Sequence, residues 1–96
     1  VEQISAEIPG QYMLSQNYPN PFNPTTNIKF DISRSGNVNI IVYDISGRKV
    51  EDLVSCSYNP GTYEVKWDAA KYSSGVYFYR LVTDEITITK KMVLVK

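Results

Sequence analysis

The sequence predicts an all-β domain, an immunoglobulin-like antiparallel β-sandwich of about seven strands. Three observations carry that expectation. Apolar and polar residues alternate with period two along most of the chain, and turn residues punctuate it at intervals of about 8–12 residues. No segment sustains a stripe at the 3.6-residue helical period. The 96 residues suffice for one domain, since about 100–200 residues is the usual span. A chain of this length buries only about 60–65% of the surface it exposes when unfolded, so every strand has to contribute. A small barrel is the other closure open to such a set of strands.

The elements are justified in chain order. Residues 1–11, VEQISAEIPGQ, are polar and contain a Pro-Gly, which reads as a linker ahead of a domain spanning 12–96. In YMLSQNYPNPFNPTT, Pro19, Pro21 and Pro24 remove backbone donors and exclude a central strand. Asn17, Asn20, Asn23 and Asn27 suit Asx turns around them. This stretch is expected to wrap the sandwich as an extended edge segment, with Phe22 and Tyr18 pinned into its side. Ile28, Phe30 and Ile32 then face inward, as do Val38, Ile40 and Val42 after a turn at Gly36. Asp44-Ile45-Ser46-Gly47 makes a hairpin whose return strand runs from Arg48 to Val54. A turn at Asn59-Pro60-Gly61 leads to Tyr63, Val65 and Trp67 on the next inward face. Gly75 opens VYFYRLVT, in which Tyr77, Tyr79 and Leu81 share a face. Asp84-Glu85 turns the chain into the last strand, ITITKKMVLVK.

Composition narrows the function. There is no histidine and a single cysteine, so the commonest general base and the commonest transition-metal ligand are missing together. Cys56 has no partner for an internal disulfide and reads as a small buried or half-buried apolar residue. The net charge is zero, which gives no electrostatic case for nucleic acid. No apolar run approaches the roughly 18 residues of a membrane-spanning helix. Asp44 and Asp68 are the one pair of carboxylates at strand ends worth weighing as an acid pair, and each has a simpler role in a turn. A calcium shell of about six to eight oxygens finds no loop to supply it. No cofactor and no catalytic activity are expected.

Two features stand out against this plain background. Gly-x-Tyr occurs twice, at Gly61-Thr62-Tyr63 and Gly75-Val76-Tyr77, and the second sits where immunoglobulin-like folds place a tyrosine corner. At the C-terminus, alternation ends after Thr89: Lys90-Lys91 interrupts, and Met92 to Val95 are apolar on both faces. A strand buried on one face does not require that. Either a bulge resets the register at the lysines, or both faces are covered, or the strand is offered to a partner by β-augmentation.

Five segments, in this order and spacing, resemble the C-terminal sorting domain of the bacterial type IX secretion system, type A. They are LSQNYPNPFNPTTNIKF (14–30), VYDISGRKVEDLV (42–54), YEVKWDA (63–69), SSGVYFYRL (73–81) and KKMVLVK (90–96). Departures are small: Ser33-Arg34 stands where Leu-Pro is common, Tyr72 replaces a common Leu, Asn59-Pro60 sits where smaller residues are usual, and Cys56 is not a family feature. The resemblance implies a label on a larger cargo domain upstream in the same chain. Such cargo passes the periplasm, is recognised by an outer-membrane secretion translocon, and ends secreted or on the cell surface. A sortase then cuts in the linker, here within residues 1–11. Carried over by position, the recognised residues are Gly75, Tyr77, Lys90, Lys91, Val93 and Lys96, on a domain expected to be monomeric. The competing reading is an immunoglobulin-like spacer or carbohydrate-binding module beside a secreted hydrolase, which requires a solvent-facing aromatic strip or an oxygen-rich metal loop. An assembly domain similar to the immunoglobulin-like part of flagellar hook-capping proteins also fits YDISGRKV, but not the Pro-rich opening or the KKMVLVK ending.

Overall fold

Alternation of this kind has a simple outcome, because each strand must turn its apolar side toward another layer. The computed structural model describes residues 1–96 and contains eight strands in two four-stranded antiparallel sheets. The strands are β1 (Glu2–Ser5), β2 (Met13–Leu14), β3 (Thr25–Ile32), β4 (Gly36–Asp44), β5 (Lys49–Tyr58), β6 (Gly61–Asp68), β7 (Gly75–Val82) and β8 (Thr87–Leu94). The first sheet has the order β1-β6-β3-β2 and the second β5-β4-β7-β8. The count is thus eight rather than about seven. The excess comes from short edge strands: in the stretch read as a linker, Glu2–Ser5 pairs with β6, while residues 6–11 form no strand. No helix is long and apolar enough to cross a membrane.

Inward residues follow the expected parity. Ile28, Phe30 and Ile32 meet Val65, Tyr63 and Gly61 along an unbroken eight-pair ladder between β3 and β6. Val38, Ile40, Val42, Trp67, Tyr77, Tyr79 and Leu81 join them in one core cluster. Trp67 is central, with Phe22, Tyr72 and Tyr77 rings at 5.7, 5.6 and 5.7 Å from its own. Pairs at this separation add about 0.5–1.5 kcal/mol each beyond area burial.

The return strand from the first hairpin is longer than the sequence predicts, reaching Tyr58 instead of Val54, and it is twice bulged. Ile40 pairs with Val54 but Ile41 with Asp52, and Val42 pairs with Glu51 but Tyr43 with Lys49. Leu53 and Val50 are therefore extra residues on β5. An extra residue reverses the facing of its successors along the strand, and Glu51 is turned inward as a result. Its carboxylate accepts from Trp67 Nε1 at 3.3 Å and from the Tyr72 hydroxyl at 2.9 Å. The buried indole N–H thereby has a partner. Cys56, opposite Val38 on the same ladder, is exposed and not buried, because it lies on an edge strand past Val54, the last residue of β5 to be buried.

The Pro-rich segment is held by a buried polar knot. Asn17 and Thr26 are buried, and Asn17 Nδ2 donates to Thr26 Oγ1 at 3.0 Å and to the Pro19 carbonyl at 3.2 Å. Thr26 Oγ1 donates to the same carbonyl. From the opposite sheet, the Tyr79 hydroxyl donates to the Ser15 carbonyl at 2.7 Å and accepts from the Asn17 amide at 2.8 Å. Burial pushes this phenol up to about 12, partly opposed by the Asn17 amide.

Tyr79→Phe leaves the Asn17 amide without its acceptor and the Ser15 carbonyl without its donor, and is expected to lower stability by about 1–3 kcal/mol in denaturant titration at neutral pH. A phenol raised above its ordinary value of 10.0 adds stability that is complete below pH 10 and disappears as pH climbs through about 12. Circular dichroism across that window should show a shallower alkaline loss in the variant than in the parent. An equal loss would mean that the hydroxyl is not held in this network.

Candidate functional site

Of the residues singled out by the sequence, Gly75, Tyr77, Lys90, Lys91 and Val93 lie on two adjacent strands, and Lys96 follows the second. In the ladder between β7 and β8, Gly75 pairs with Leu94, Val76 with Val93, Tyr77 with Met92, Phe78 with Lys91 and Tyr79 with Lys90. The Gly-x-Tyr motif and the chain terminus are thus brought side by side. The register runs without a break through Lys90 and Lys91, so no bulge resets it there.

Continuous register divides the predicted residues between two faces. Tyr77, Met92 and Leu94 are core. Lys90 lies on that inward side, opposite Tyr79. Lys91 and Val93 point the other way, onto the outer face of the second sheet. Val95, half exposed at 50%, continues that row by parity. The six residues Gly75, Tyr77, Lys90, Lys91, Val93 and Lys96 therefore share a place in the fold but not one surface. Tyr77 acts from within: its ring packs on Trp67 and its hydroxyl donates to the Ser73 carbonyl at 2.6 Å. Tyr63 makes the same bond to the Asn59 carbonyl, also four residues back and also at 2.6 Å.

The glycines of both motifs adopt positive φ, 157° at Gly61 and 153° at Gly75, where other residues are strained. They differ in surroundings. A Cβ on Gly61 would stand 2.7 Å from the Ser5 carbonyl oxygen, whereas a Cβ on Gly75 would meet nothing within 4 Å.

The outer edge of β8 is not free along its last residues, contrary to the expectation of a strand offered for β-augmentation. Phe22 N–H donates to the Val93 carbonyl at 3.0 Å, and Val95 N–H donates to the Phe22 carbonyl at 2.9 Å. Asn20 Oδ1 accepts from the Val93 amide at 3.0 Å, and Gln16 Nε2 donates to the Lys91 carbonyl at 2.7 Å. The Pro-rich segment thus runs beside β8 in parallel, anchored by Phe22, which is 2% exposed. Tyr18 is not pinned with it and stands 79% exposed. At the very end, the Lys96 amide donates to Ser74 Oγ at 3.0 Å and its ammonium to the Ala70 carbonyl. Only the edge toward Thr87 and Thr89 lacks such a cover.

Gln16, Asn20 and Ser74 were not among the sequence-predicted residues. Their partners lie 22 to 75 positions away in the chain, and no local pattern announces such bonds. Asp44 and Asp68 do serve turns. Asp44 Oδ1 accepts from the Ser46 hydroxyl, the Ser46 amide and the Arg48 amide. The Ser46 hydroxyl and then the Arg48 amide hold its carboxyl below the ordinary aspartate range. Asp68 accepts from the Ala70 amide.

Residues 16–96 match the family model described as the secretion system C-terminal sorting domain. No curated protein matches the sequence. Among solved structures, dimeric latent PorU from Porphyromonas gingivalis resembles this chain with a TM-score of 0.69 and 24% identity over 91% of its length. The chain spans only 10% of the length of that protein, so the likeness concerns the fold.

Gly75→Ala is expected to cost about 1–3 kcal/mol, all of it backbone strain. Gly61→Ala should cost more and detach β1, because the new methyl group displaces the Ser5 carbonyl. Thermal melts and hydrogen exchange at Gln3 to Ser5 check both: equal losses, or a β1 that stays protected in the Gly61 variant, would refute the contrast.

Proposed function

The chain belongs to the family of type IX secretion system C-terminal sorting domains, and from that premise we propose how it works as a label. It addresses an upstream cargo domain in the same chain to the outer-membrane translocon, by way of the periplasm, and is read as a folded monomer. The observation that carries this reading is the ladder between β7 and β8, which joins Gly75 and Tyr77 to the terminal Leu94 and Met92. Motifs about 20 residues apart in sequence become one local structure, as a signal read on folded cargo requires.

The mode of reading differs from strand addition at the terminus. The backbone of Val93 and Val95 is already bonded to the Pro-rich segment, so what remains there for a receptor is side chains. Lys91 and Val93 supply outward contacts, while Gly75 and Tyr77 fix the strand that supports them and Lys96 ties the terminus to Ser74 and Ala70. Lys90, on the inward side near the sheet edge, frames the same end. Export places the cargo outside the cell or on its surface. Cleavage by a sortase within residues 1–11 fits the chain between Ser5 and Met13, where residues 6–11 form no strand and Ile8 is exposed.

Deleting Met92 to Lys96 would remove the buried Met92 and Leu94 and confuse folding with signalling. Deleting only Val95 and Lys96 removes no core side chain and is expected to cost about 1–3 kcal/mol, the loss of the exposed bonds of Lys96 and of the Val95 bond to the Phe22 carbonyl. Fused to a folded reporter in a bacterium with the secretion apparatus, this shortened domain should lower the exported reporter at least about tenfold, equivalent to about 1.4 kcal/mol of recognition. Normal export of the shortened fusion, with its melt intact, would mean that the final two residues are not read.

A further inference from the structure

The two outer faces of the sandwich are unlike each other. On the first sheet, charges of both signs alternate across the ladder: Lys29 faces Glu64, and Asp31 accepts from Thr62 Oγ1 at 2.8 Å. On the second sheet, Val76 and Phe78 on β7 stand beside Val93 and Lys91 on β8, and Tyr43 on β4 stands beside Phe78. These apolar groups are half-buried with nothing above them, and Val95 extends the row. Arg80 crosses this surface with its guanidinium 4.8 Å from the Tyr43 ring centroid and its Nε 3.3 Å from Thr89 Oγ1. Neither Arg80 nor Lys91 has a carboxylate partner, for the ion pairs of the molecule are Arg34–Glu85 and Lys49–Asp52. Asp52, the carboxylate on the far strand of this face, is taken by Lys49.

We propose that the outer face of the second sheet, centred on Phe78 between Arg80 and Lys91, is a docking surface for a protein that presents carboxylates around an apolar patch. This deepens the sorting reading and rests on it. Aromatic residues and arginine are enriched where protein interfaces are buried, and charges there are arranged to complement the partner. Arg80 is already held over Tyr43, so less freedom is lost when a carboxylate meets it. A second copy of this chain is a poor occupant, because a two-fold contact would set the same two uncompensated cations against each other. An anionic lipid surface is favoured by clusters of about four to eight basic residues, and this face has too few.

The test uses the whole chain fused to an upstream reporter, in a host that possesses the secretion apparatus. Arg80→Glu combined with Lys91→Glu should reduce export at least about tenfold, while Lys29→Glu with Lys66→Glu on the opposite face leaves it unchanged. The conservative pair Arg80→Lys and Lys91→Arg should retain most export. Thermal melts of all three show whether folding is intact. A photo-crosslinking residue at Thr89 should capture a protein of the outer-membrane fraction, with a yield that falls as ionic strength rises. The same residue at Asn27 should capture none. Normal export of the charge-reversed chain overturns the proposal. So does equal crosslinking from both faces, a dimer in sedimentation that the reversal abolishes, or binding to phosphatidylglycerol vesicles in place of a protein. If the unaltered fusion itself is not exported, the sorting reading fails, and the crosslinks and their salt dependence still decide the docking face.

Discussion

The arrangement of the C-terminal end depends on one set of bonds, those by which the Asn20-to-Phe22 segment closes the outer edge of β8. An uncovered edge strand exposes unpaired amides and carbonyls and invites association with any extended chain. A strand at the end of a chain carries that liability in an acute form, since no later residues follow to cover it. Here the backbone of Val93 and Val95 is consumed by the domain's own opening residues, and Phe22 is driven into the core beside Trp67 to hold them there. What this end leaves unbonded is side chains and not main chain. The prolines serve the same end, because a segment lacking amide donors covers one strand without offering an edge for the next.

The rest of the scaffold makes that end rigid with few residues. Two Gly-x-Tyr units solve the same problem at the start of β6 and of β7: the glycine takes a backbone conformation closed to other residues, and the tyrosine buries its ring and ties its hydroxyl to the carbonyl four positions back. Tyrosine suits this work because it combines apolar area with a polar tip. The bulges on β5 act alike, turning Glu51 inward to receive the Trp67 N–H and the Tyr72 hydroxyl. No buried side-chain polar atom is left without a partner, which matters in a domain whose net stability is a small difference between large opposing terms.

Family membership and surface asymmetry meet at the same strands. β7 and β8 carry the Gly-x-Tyr motif and the terminal lysines on one ladder, and their outward residues form the face that lacks compensating acid. The opposite face is balanced and polar. A label built in this way has a front and a back, with the upstream chain entering beside β6 through β1.

How much was legible from sequence differs from element to element. The inward residues of β3, β4, β6 and β7 followed from alternation, because a pleated strand places every second side chain on one face whatever its neighbours are. Tyr77 and the terminal residues were found as motifs, and the parity of Tyr77, Tyr79 and Leu81 already implied that Val76, Phe78 and Arg80 point outward. Period two could not foresee the bulges at Val50 and Leu53, the exposure of Cys56 and Tyr18, or the pairing of β1. These depend on which strand lies at an edge and how far the opposite layer reaches. Nor could it show that the register runs through Lys90-Lys91 without a bulge, that the edge beside Val93 and Val95 is closed by residues about 70 positions earlier, or that the apolar Val93 and Val95 lie on the outer face while Met92 and Leu94 are buried. By itself the sequence determined the faces of the strands, since that is a local property of the backbone. Only the tertiary structure decided which edges are closed and which face stays open, because those depend on contacts between segments far apart in the chain.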